Sequence, residues 1–306
     1  MSEQRVQRID VLVNPTAGHG RGAEVAAQAV PMLLRSGLIV RVLEGRDADE
    51  AADLASKAAA ESDALAVVGG DGMVHLAANA LAGTDLPLGI IPAGTGDDAA
   101  RHLGIDRKRV SAAVNAIVAG RTSRIDLARA FGRHVLTVIA SGFDSAVNER
   151  ANQMRWPRGQ MRYNLATVAE LVGFEPLRFT LELDGAVREL DAMLVAVGNG
   201  PSFGGGLRIC EGAENDDGLL DVAIIHPIGK AELVRAYPRL FTGTLVNHPA
   251  YEHHRVRKVS VAAHDVIAYG DGERLGALPM TVEVQPAALR VFVPPEASSR
   301  DPGSMC

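Results

Sequence analysis

Short apolar runs alternate with amphipathic stretches over the first 125 residues. Four of the runs have the length of buried strands: 9–13, 38–43, 64–68 and 88–91. Between and after them, apolar residues three and four positions apart predict helices over about 22–35 and 48–60, from Met73 onward and from Ala99 onward. Strands and helices alternating at this spacing predict a parallel, doubly wound α/β sheet with helices on both faces.

The pattern changes after Gly120. Most later segments have the length of strands, and Asp184-Gly185 between two of them predicts a hairpin. The predicted strands are 123–130, 135–140, 178–183, 190–197, 218–225, 256–262, 266–269 and 289–293. The predicted helices are 146–152, 163–172 and 230–241. We therefore predict an α/β domain over 1–125, an antiparallel β-sandwich over 126–296 and a flexible tail over 297–306.

A glycine-rich turn, Gly69-Gly70-Asp71-Gly72, joins the strand at 64–68 to the following helix. Backbone N–H groups at a helix N-terminus, together with the helix dipole, favour a phosphate there. We expect the glycines to let a ligand approach the backbone, and Asp71 to serve a divalent metal or a transferring proton. The alternative is a tight turn whose aspartate only caps the helix.

Two further strand-to-helix turns are rich in small and polar residues, 14–18 and 92–98. In a parallel sheet such turns lie together at the carboxyl edge of the strands, where ligands bind. The sequence therefore predicts one anion site built from three loops.

Composition narrows the class of protein. The chain has 306 residues with 47% hydrophobic and 22% charged residues, which is typical of globular proteins. A net charge of −6 argues against nucleic acid as a partner. The N-terminus shows no signal-peptide core, and no apolar run approaches the length of a spanning helix. Two cysteines, Cys210 and Cys306, fit a reducing compartment, so we expect a cytoplasmic protein.

Three acidic positions outside the glycine loops have open interpretations. Asp126 lies inside an apolar strand, where an ionised carboxylate is costly unless it is paired or metal-linked. The turn at 215–218 suits a hard cation but equally suits an ordinary polar turn. Glu273 follows Asp271-Gly272 and is either a general base or a solvated residue after a hairpin turn.

Six blocks together resemble the diacylglycerol kinase catalytic-domain family, which includes sphingosine and ceramide kinases and soluble bacterial lipid kinases. They come in the family's order between about residues 10 and 290. The blocks are 14–18, 69–72, 92–101, 198–206, 215–222 and 271–273.

The resemblance implies a fold and a reaction. The fold is a nucleotide domain like that of NAD kinases and phosphofructokinases, followed by a β-sandwich domain, with ATP in the cleft between them. The reaction is transfer of the γ-phosphoryl group of ATP, with Mg²⁺, to a hydroxyl of a diacylglycerol-like or sphingoid lipid.

The resemblance also implies site residues. The catalytic group comprises the general base Glu273 and an aspartate network of Asp71, Asp98 and Asp126. The nucleotide-binding group comprises Asn14, Pro15, Thr16, Ala17, Gly18, Gly70, Asp71, Gly72, Met73, Val74, His75, Leu76, Gly94 and Thr95. A structural magnesium site comprises Glu214, Asp217 and Leu219, with backbone oxygens contributing.

Several positions depart from the family pattern. The family usually has Thr at Met73, Glu at Leu76, Asn at Asp97 and Phe at Ala99, and the Thr of its second-strand loop falls on Val42. These changes bear on nucleotide affinity and choice. They motivate one alternative, a non-catalytic lipid- or nucleotide-binding regulator. The other alternative is an NAD kinase, which shares the Gly-Gly-Asp-Gly loop but not the later blocks.

The sequence gives fewer signals for contact with the lipid substrate and the membrane. Four arginines with Trp156 over 150–163 fit either an anionic membrane surface or a solvated loop. We expect a lipid substrate, transient peripheral contact with the inner membrane surface and no nucleic acid, and we leave a homodimer open. His248, His253 and His254 have no standard metal-ligand spacing.

Overall fold

A computed structural model describes residues 6–142 and 175–295. The chain divides into two compact units, one formed by Met1–Ile125 with Ala288–Cys306 and the other by Asp126–Ala287. Within the described residues, no helix is both long and apolar enough to cross a membrane. The predicted helices 146–152 and 163–172 and the 150–163 segment lie outside the described residues.

The first unit is built on a parallel sheet with strand order β2-β1-β3-β4. The strands are β1 (Arg8–Val13), β2 (Ile39–Glu44), β3 (Ala64–Gly69) and β4 (Leu88–Pro92). The helices are α1 (Ala17–Arg35), α2 (Ala48–Glu61), α3 (Asp71–Leu81), α4 (Asp98–His102) and α5 (Val110–Val118). Strands β3 and β4 are buried throughout, as expected where helices cover both faces of a parallel sheet.

The chain's last described strand returns to this unit. Strand β16 (Met280–Phe292) carries Val291, which pairs in parallel with Leu88 of β4. The Val293 N–H donates to the carbonyl of Arg121, and the Ala288 carbonyl accepts from Gly83. Our division assigned 126–296 to the second domain, whereas 288–295 pack with the first unit. An apolar run does not reveal which sheet its backbone joins.

The second unit contains two antiparallel sheets. In one, β13 (Lys258–Ala262) lies between β16 and β8 (Leu177–Leu183), and β9 (Ala186–Ala192) forms the edge. Strand β5 (Thr122–Ala130) pairs with β16 and with β6 (Arg133–Val135). The other sheet has the order β12-β11-β10-β7-β14-β15. Its strands are β7 (Val138–Gly142), β10 (Leu194–Gly198), β11 (Leu220–Ile225), β12 (Tyr251–Val256), β14 (Ile267–Gly270) and β15 (Glu273–Ala277).

The two sheets enclose one apolar core. Phe179 and Val259 of one sheet, with Val195, Val222 and Ile139 of the other, are fully buried members of the same cluster. The outer face of the second sheet carries a separate cluster, against which α6 (Lys230–Thr242) packs. The predicted α/β plus β-sandwich fold is confirmed.

Two predicted strands each combine parts of different strands. Residues 135–140 contain the end of β6 and the start of β7, which belong to different sheets. Residues 190–197 contain the end of β9 and most of β10, and the chain changes sheet at Met193 between them. The Asp184-Gly185 hairpin is confirmed, with both residues at positive φ, but its second strand is β9. Strands β12 and β15 were missed because they are half-exposed and lack an apolar alternation.

Candidate functional site

The loop after β1 is shaped by Asn14. Its side-chain oxygen accepts from the N–H and hydroxyl of Thr16, at 3.1 and 2.8 Å. Gly18, His19 and Gly20 follow in the left-handed region, so the regular part of α1 begins only after them. A Cβ on Gly18 would lie 2.1 Å from the carbonyl oxygen of Ala93. Only glycine therefore allows this loop to pass the loop after β4.

The loop after β3 is packed from both sides. A Cβ on Gly69 would lie 2.6 Å from Cγ of Met73, and one on Gly70 would lie 3.1 Å from the Cα of Gly94. These contacts give both glycines a packing role, and the expectation that they also make room for a ligand stays a prediction. Met73 is buried beneath the loop, which gives this departure from the family pattern a packing role.

Gly94 lies where the three loops meet. Its N–H donates to Oδ1 of Asp97 at 2.9 Å, and its carbonyl accepts from Arg21 at 3.2 Å. A Cβ on Gly94 would lie 2.6 Å from the Cα of Gly70. The convergence predicted from the sheet edge is therefore present within the first unit.

Three arginines surround the loop after β4. Arg21 binds the carbonyl of Gly94, while Arg107 and Arg101 bind the carbonyl of Gly96 at 2.9 and 3.4 Å. Arg21 and Arg107 were missed by the sequence analysis. Their only signal is position, since Arg21 follows the turn at 14–18 and Arg107 follows the short helix after the turn at 92–98. Guanidinium groups and the N-terminus of α3 together favour a polyphosphate, so these loops fit a nucleotide.

The acidic residues of the first unit hold the loops. Asp71 accepts from the N–H of Ala99 at 3.1 Å, which links the start of α3 to α4. Asp98 is buried and lies 3.4 Å from Nε of Arg101. Burial raises the pKa of Asp97, against the hydrogen bond from Gly94 and the charges of Arg107 and Arg21. Asp97 has φ 51°, a conformation that Asn and Asp tolerate better than most residues.

The other predicted nucleotide contacts differ in exposure. The side chains of Val74 and His75 are buried, and the N–H of Val74 donates to the carbonyl of Gly70 at 3.2 Å. Asn79 bonds the carbonyl of His75 at 2.9 Å. Thr16 and Thr95 are exposed. Half-buried positions are Asn14, Pro15, Ala17, Gly18, Asp71 and Leu76, while Gly72 is exposed and Gly70 and Gly94 are packed as described.

Asp126 ties together three segments of the second unit. Its Oδ2 accepts from the N–H of Gly218, and its Oδ1 accepts from the N–H of Ala287, both at 2.7 Å. Its own N–H donates to the carbonyl of Asn215 at 2.6 Å. These bonds satisfy a carboxylate that is only 3% exposed. These hydrogen bonds give Asp126 a structural role. Its participation in a metal network remains a prediction.

The turn proposed to hold magnesium does not present a preformed set of ligands. Asp217 accepts from the N–H of Leu219 at 2.9 Å and forms an ion pair with Arg255. Glu214 is exposed. Among the residues that the structure describes, no group of three His, Cys, Asp or Glu side chains is arranged for a metal. Asp217 is therefore already paired in this structure, and a magnesium site at Glu214, Asp217 and Leu219 stays a prediction.

Asp271 anchors the hairpin that leads to Glu273. Its carboxylate accepts from the N–H of Leu136 at 3.0 Å, and from the N–H and hydroxyl of Thr137 at 2.9 and 2.6 Å. Asn199 donates to the carbonyls of Leu136 and Asp126, at 3.0 and 2.9 Å. Two of the six sequence blocks, 198–206 and 271–273, therefore meet around residues 136 and 137. Thr137 was missed, although a lone Thr within an apolar run was its signal.

Glu273 itself is exposed at the first position of β15, where it pairs with Gly270. Asp271 and Gly272 form the two-residue turn, with φ of 52° and 84°. The hairpin interpretation is therefore correct for the backbone. It does not decide what the exposed carboxylate does.

Comparisons with known proteins cover both units. Residues 8–130 match the diacylglycerol kinase catalytic domain, and residues 137–293 match the YegS C-terminal NAD kinase beta sandwich-like domain. The diacylglycerol kinase of Mycobacterium tuberculosis (strain ATCC 25618 / H37Rv) is 41% identical over 301 residues, which is 96% of this chain and 97% of that protein. The diacylglycerol kinase of Bacillus subtilis (strain 168) is 26% identical, covering 90% of this chain and 92% of that one.

A solved structure shows the same fold. The crystal structure of a diacylglycerol kinase from Bacillus anthracis str. Sterne superposes with a TM-score of 0.75 at 23% identity. The match covers 95% of this chain and 98% of that one. With both domain models matched in order and a relative of 41% identity along nearly its whole length, the chain belongs to the diacylglycerol kinase family.

Proposed function

We propose that the protein is an ATP-dependent lipid kinase that phosphorylates a hydroxyl of a diacylglycerol-like lipid. The observation that carries the proposal is the meeting of three strand-to-helix loops around Gly94, with three arginines beside them. Family membership and the name of the 41% identical relative support the same reaction. Magnesium enters with the nucleotide, as part of the substrate MgATP.

The first unit binds the nucleotide in this proposal. Phosphoryl transfer depends on positioning and on neutralising charge. Arg21, Arg101 and Arg107 supply positive charge beside the loop after β4, and the N-terminus of α3 adds its dipole. Asp71 and Asp98 fix the loops that carry these groups.

The second unit supplies the base. The hydroxyl oxygen of the lipid bonds to the γ-phosphorus as the bond from that phosphorus to the β–γ bridging oxygen breaks. ADP leaves with the electron pair of that bond, and the hydroxyl proton passes to the carboxylate of Glu273. The exposure of Glu273 supports this role because an acceptor can reach its carboxylate. The buried Asp271 positions it by holding the hairpin.

A labelling assay tests the proposal. The full chain would be incubated with [γ-³²P]ATP, Mg²⁺ and mixed micelles containing dioleoylglycerol, ceramide, sphingosine or monoacylglycerol, with NAD as a separate acceptor. We expect label in the phosphorylated diacylglycerol. Labelled NADP would favour the NAD kinase alternative. Nucleotide binding by calorimetry without transfer to any acceptor would favour a non-catalytic regulator.

A further inference from the structure

Helix α6 of the second unit has one face packed inside the protein. Ala236 is buried, and Leu233 and Leu240 pack against the apolar cluster on the outer face of the second sheet. The helix ends at Gly243, whose φ of 72° is the left-handed conformation common after a helix C-terminus. The packing of α6 therefore fixes which of its side chains point outward.

A second apolar stripe runs beside the buried one. Val234 is 55% exposed and Phe241 is 50% exposed, although the helix already packs its other face. Tyr237 lies between them, and its ring contacts that of Phe241 edge-on at 5.8 Å. Positions 234, 237 and 241 are spaced three and four apart, so they form one continuous stripe.

Basic side chains are exposed on the same helix. Lys230, Arg235 and Arg239 are exposed, whereas the helix has a single acid, Glu232. Glu232 lies 3.3 Å from Nε2 of His248. In a chain of net charge −6, this face is a local concentration of positive charge. An apolar stripe beside arginines is typical of helices that lie in a membrane interface.

We propose that the exposed face of α6, formed by Val234, Tyr237 and Phe241 with Arg235 and Arg239, docks on an anionic lipid bilayer. The proposal rests on the proposed function, since an enzyme acting on a diacylglycerol-like lipid must meet it at a membrane surface. The positive charge of the face favours an anionic bilayer over a second copy of the chain. Two copies of the face brought together would place arginines of like charge in one interface, whereas anionic headgroups complement them.

Vesicle sedimentation tests the proposal with the full chain. Sucrose-loaded vesicles of phosphatidylcholine with 30% phosphatidylglycerol would be compared with vesicles of phosphatidylcholine alone, without ATP or acceptor lipid. We expect the wild type to partition to the anionic vesicles. The double variant Val234→Ser/Phe241→Ser should bind about tenfold more weakly, and Arg235→Gln/Arg239→Gln should bind more weakly with a reduced dependence on salt.

The matched control is Val187→Ser on the edge strand β9, where a valine is 67% exposed on a different element. It should bind as the wild type does. Far-UV circular dichroism verifies folding of each variant, and the arginine pair, whose side chains are both exposed, tests the proposal independently of the apolar pair.

Three outcomes would overturn the proposal: wild-type binding by both α6 variants, an equal loss in the Val187→Ser control, or absence of wild-type binding to anionic vesicles. Light scattering that shows a dimer dissociated by Val234→Ser/Phe241→Ser would also overturn it, in favour of a second copy of the chain. Because vesicle binding is measured without catalysis, it can be interpreted even if the kinase assay fails. Conversely, activity on a water-soluble short-chain diacylglycerol would stand even if vesicle binding failed.

Discussion

Replacing Thr137 by valine tests the anchor of the Glu273 hairpin. The Thr137 hydroxyl donates to Oδ1 of the buried Asp271 at 2.6 Å, and the backbone N–H groups of Leu136 and Thr137 complete the set. Valine keeps the side-chain volume and removes only the hydroxyl. A hydrogen bond to a charged group contributes about 1.5–3 kcal/mol, so we expect the free energy of unfolding to fall by about 2 kcal/mol.

Urea unfolding followed by far-UV circular dichroism measures this loss. The matched control is Thr281→Val, because Thr281 is exposed and its hydroxyl lies 3.1 Å from that of Ser260. The control should change the unfolding free energy by less than about 0.5 kcal/mol. Asp271→Asn made alone and in the Thr137→Val background should be non-additive by about 1–2 kcal/mol. Equal effects at Thr137 and Thr281, or full additivity, would refute the reasoning.

The same variant also connects the anchor to turnover. If Asp271 and Thr137 position Glu273, Thr137→Val should lower kcat by about 10- to 100-fold, because small displacements of a catalytic group are costly. The KM for ATP should stay the same, since the proposed nucleotide contacts lie in the first unit. A raised KM for ATP with unchanged kcat would contradict this assignment.

Three further predictions concern stability. Gly94→Ala should lower the free energy of unfolding by about 1–3 kcal/mol, because its Cβ would lie 2.6 Å from the Cα of Gly70. The control Gly229→Ala has open space around it and should lower that free energy much less; equal losses would contradict the packing argument. Asp97→Asn should raise the thermal midpoint at neutral pH, because burial raises the pKa of Asp97, and the gain should vanish below the ordinary pKa of 3.8; a lowered midpoint at neutral pH would contradict it. Burial opposes ionisation of Glu252, but hydrogen bonds from Arg188, His254 and His226 outweigh it and lower the pKa of Glu252 to about 2. Ionised Glu252 thus stabilises the fold above its ordinary pKa of 4.5, and this effect is lost as pH falls toward 2. Glu252→Gln should therefore be less stable than the wild type at pH 7 and equal to it near pH 2. A constant difference in the thermal midpoint across that range would contradict this.

The α/β half was predictable because its signals are local. Continuous apolar runs such as 64–68 occur where strands are buried on both faces, and helical spacing follows each one. The meeting of the loops was predictable for the same reason, since the ends of parallel strands meet at one edge. The sequence could not reveal that Gly70 packs against Gly94, because that contact joins separate loops.

The β half was harder to predict because its important contacts are long-range. Met193 separates two strands of different sheets without any polar residue to mark the change. Strand β15 is half-exposed and carries no apolar alternation, so the hairpin at Asp271-Gly272 was seen without its second strand. The anchor between Asp271 and Thr137 spans 134 residues, and neither side chain alone indicates its partner.

The central claim is that Glu273 accepts the proton of a lipid hydroxyl. The most direct test compares [γ-³²P]ATP-dependent labelling of dioleoylglycerol by wild type, Glu273→Gln and the control Glu283→Gln, a half-exposed acid paired with Lys258. We predict that Glu273→Gln lowers kcat by about 10²- to 10⁴-fold with unchanged ATP binding by calorimetry, while Glu283→Gln keeps wild-type turnover. Full activity in Glu273→Gln, or no labelling by the wild type, would contradict the claim.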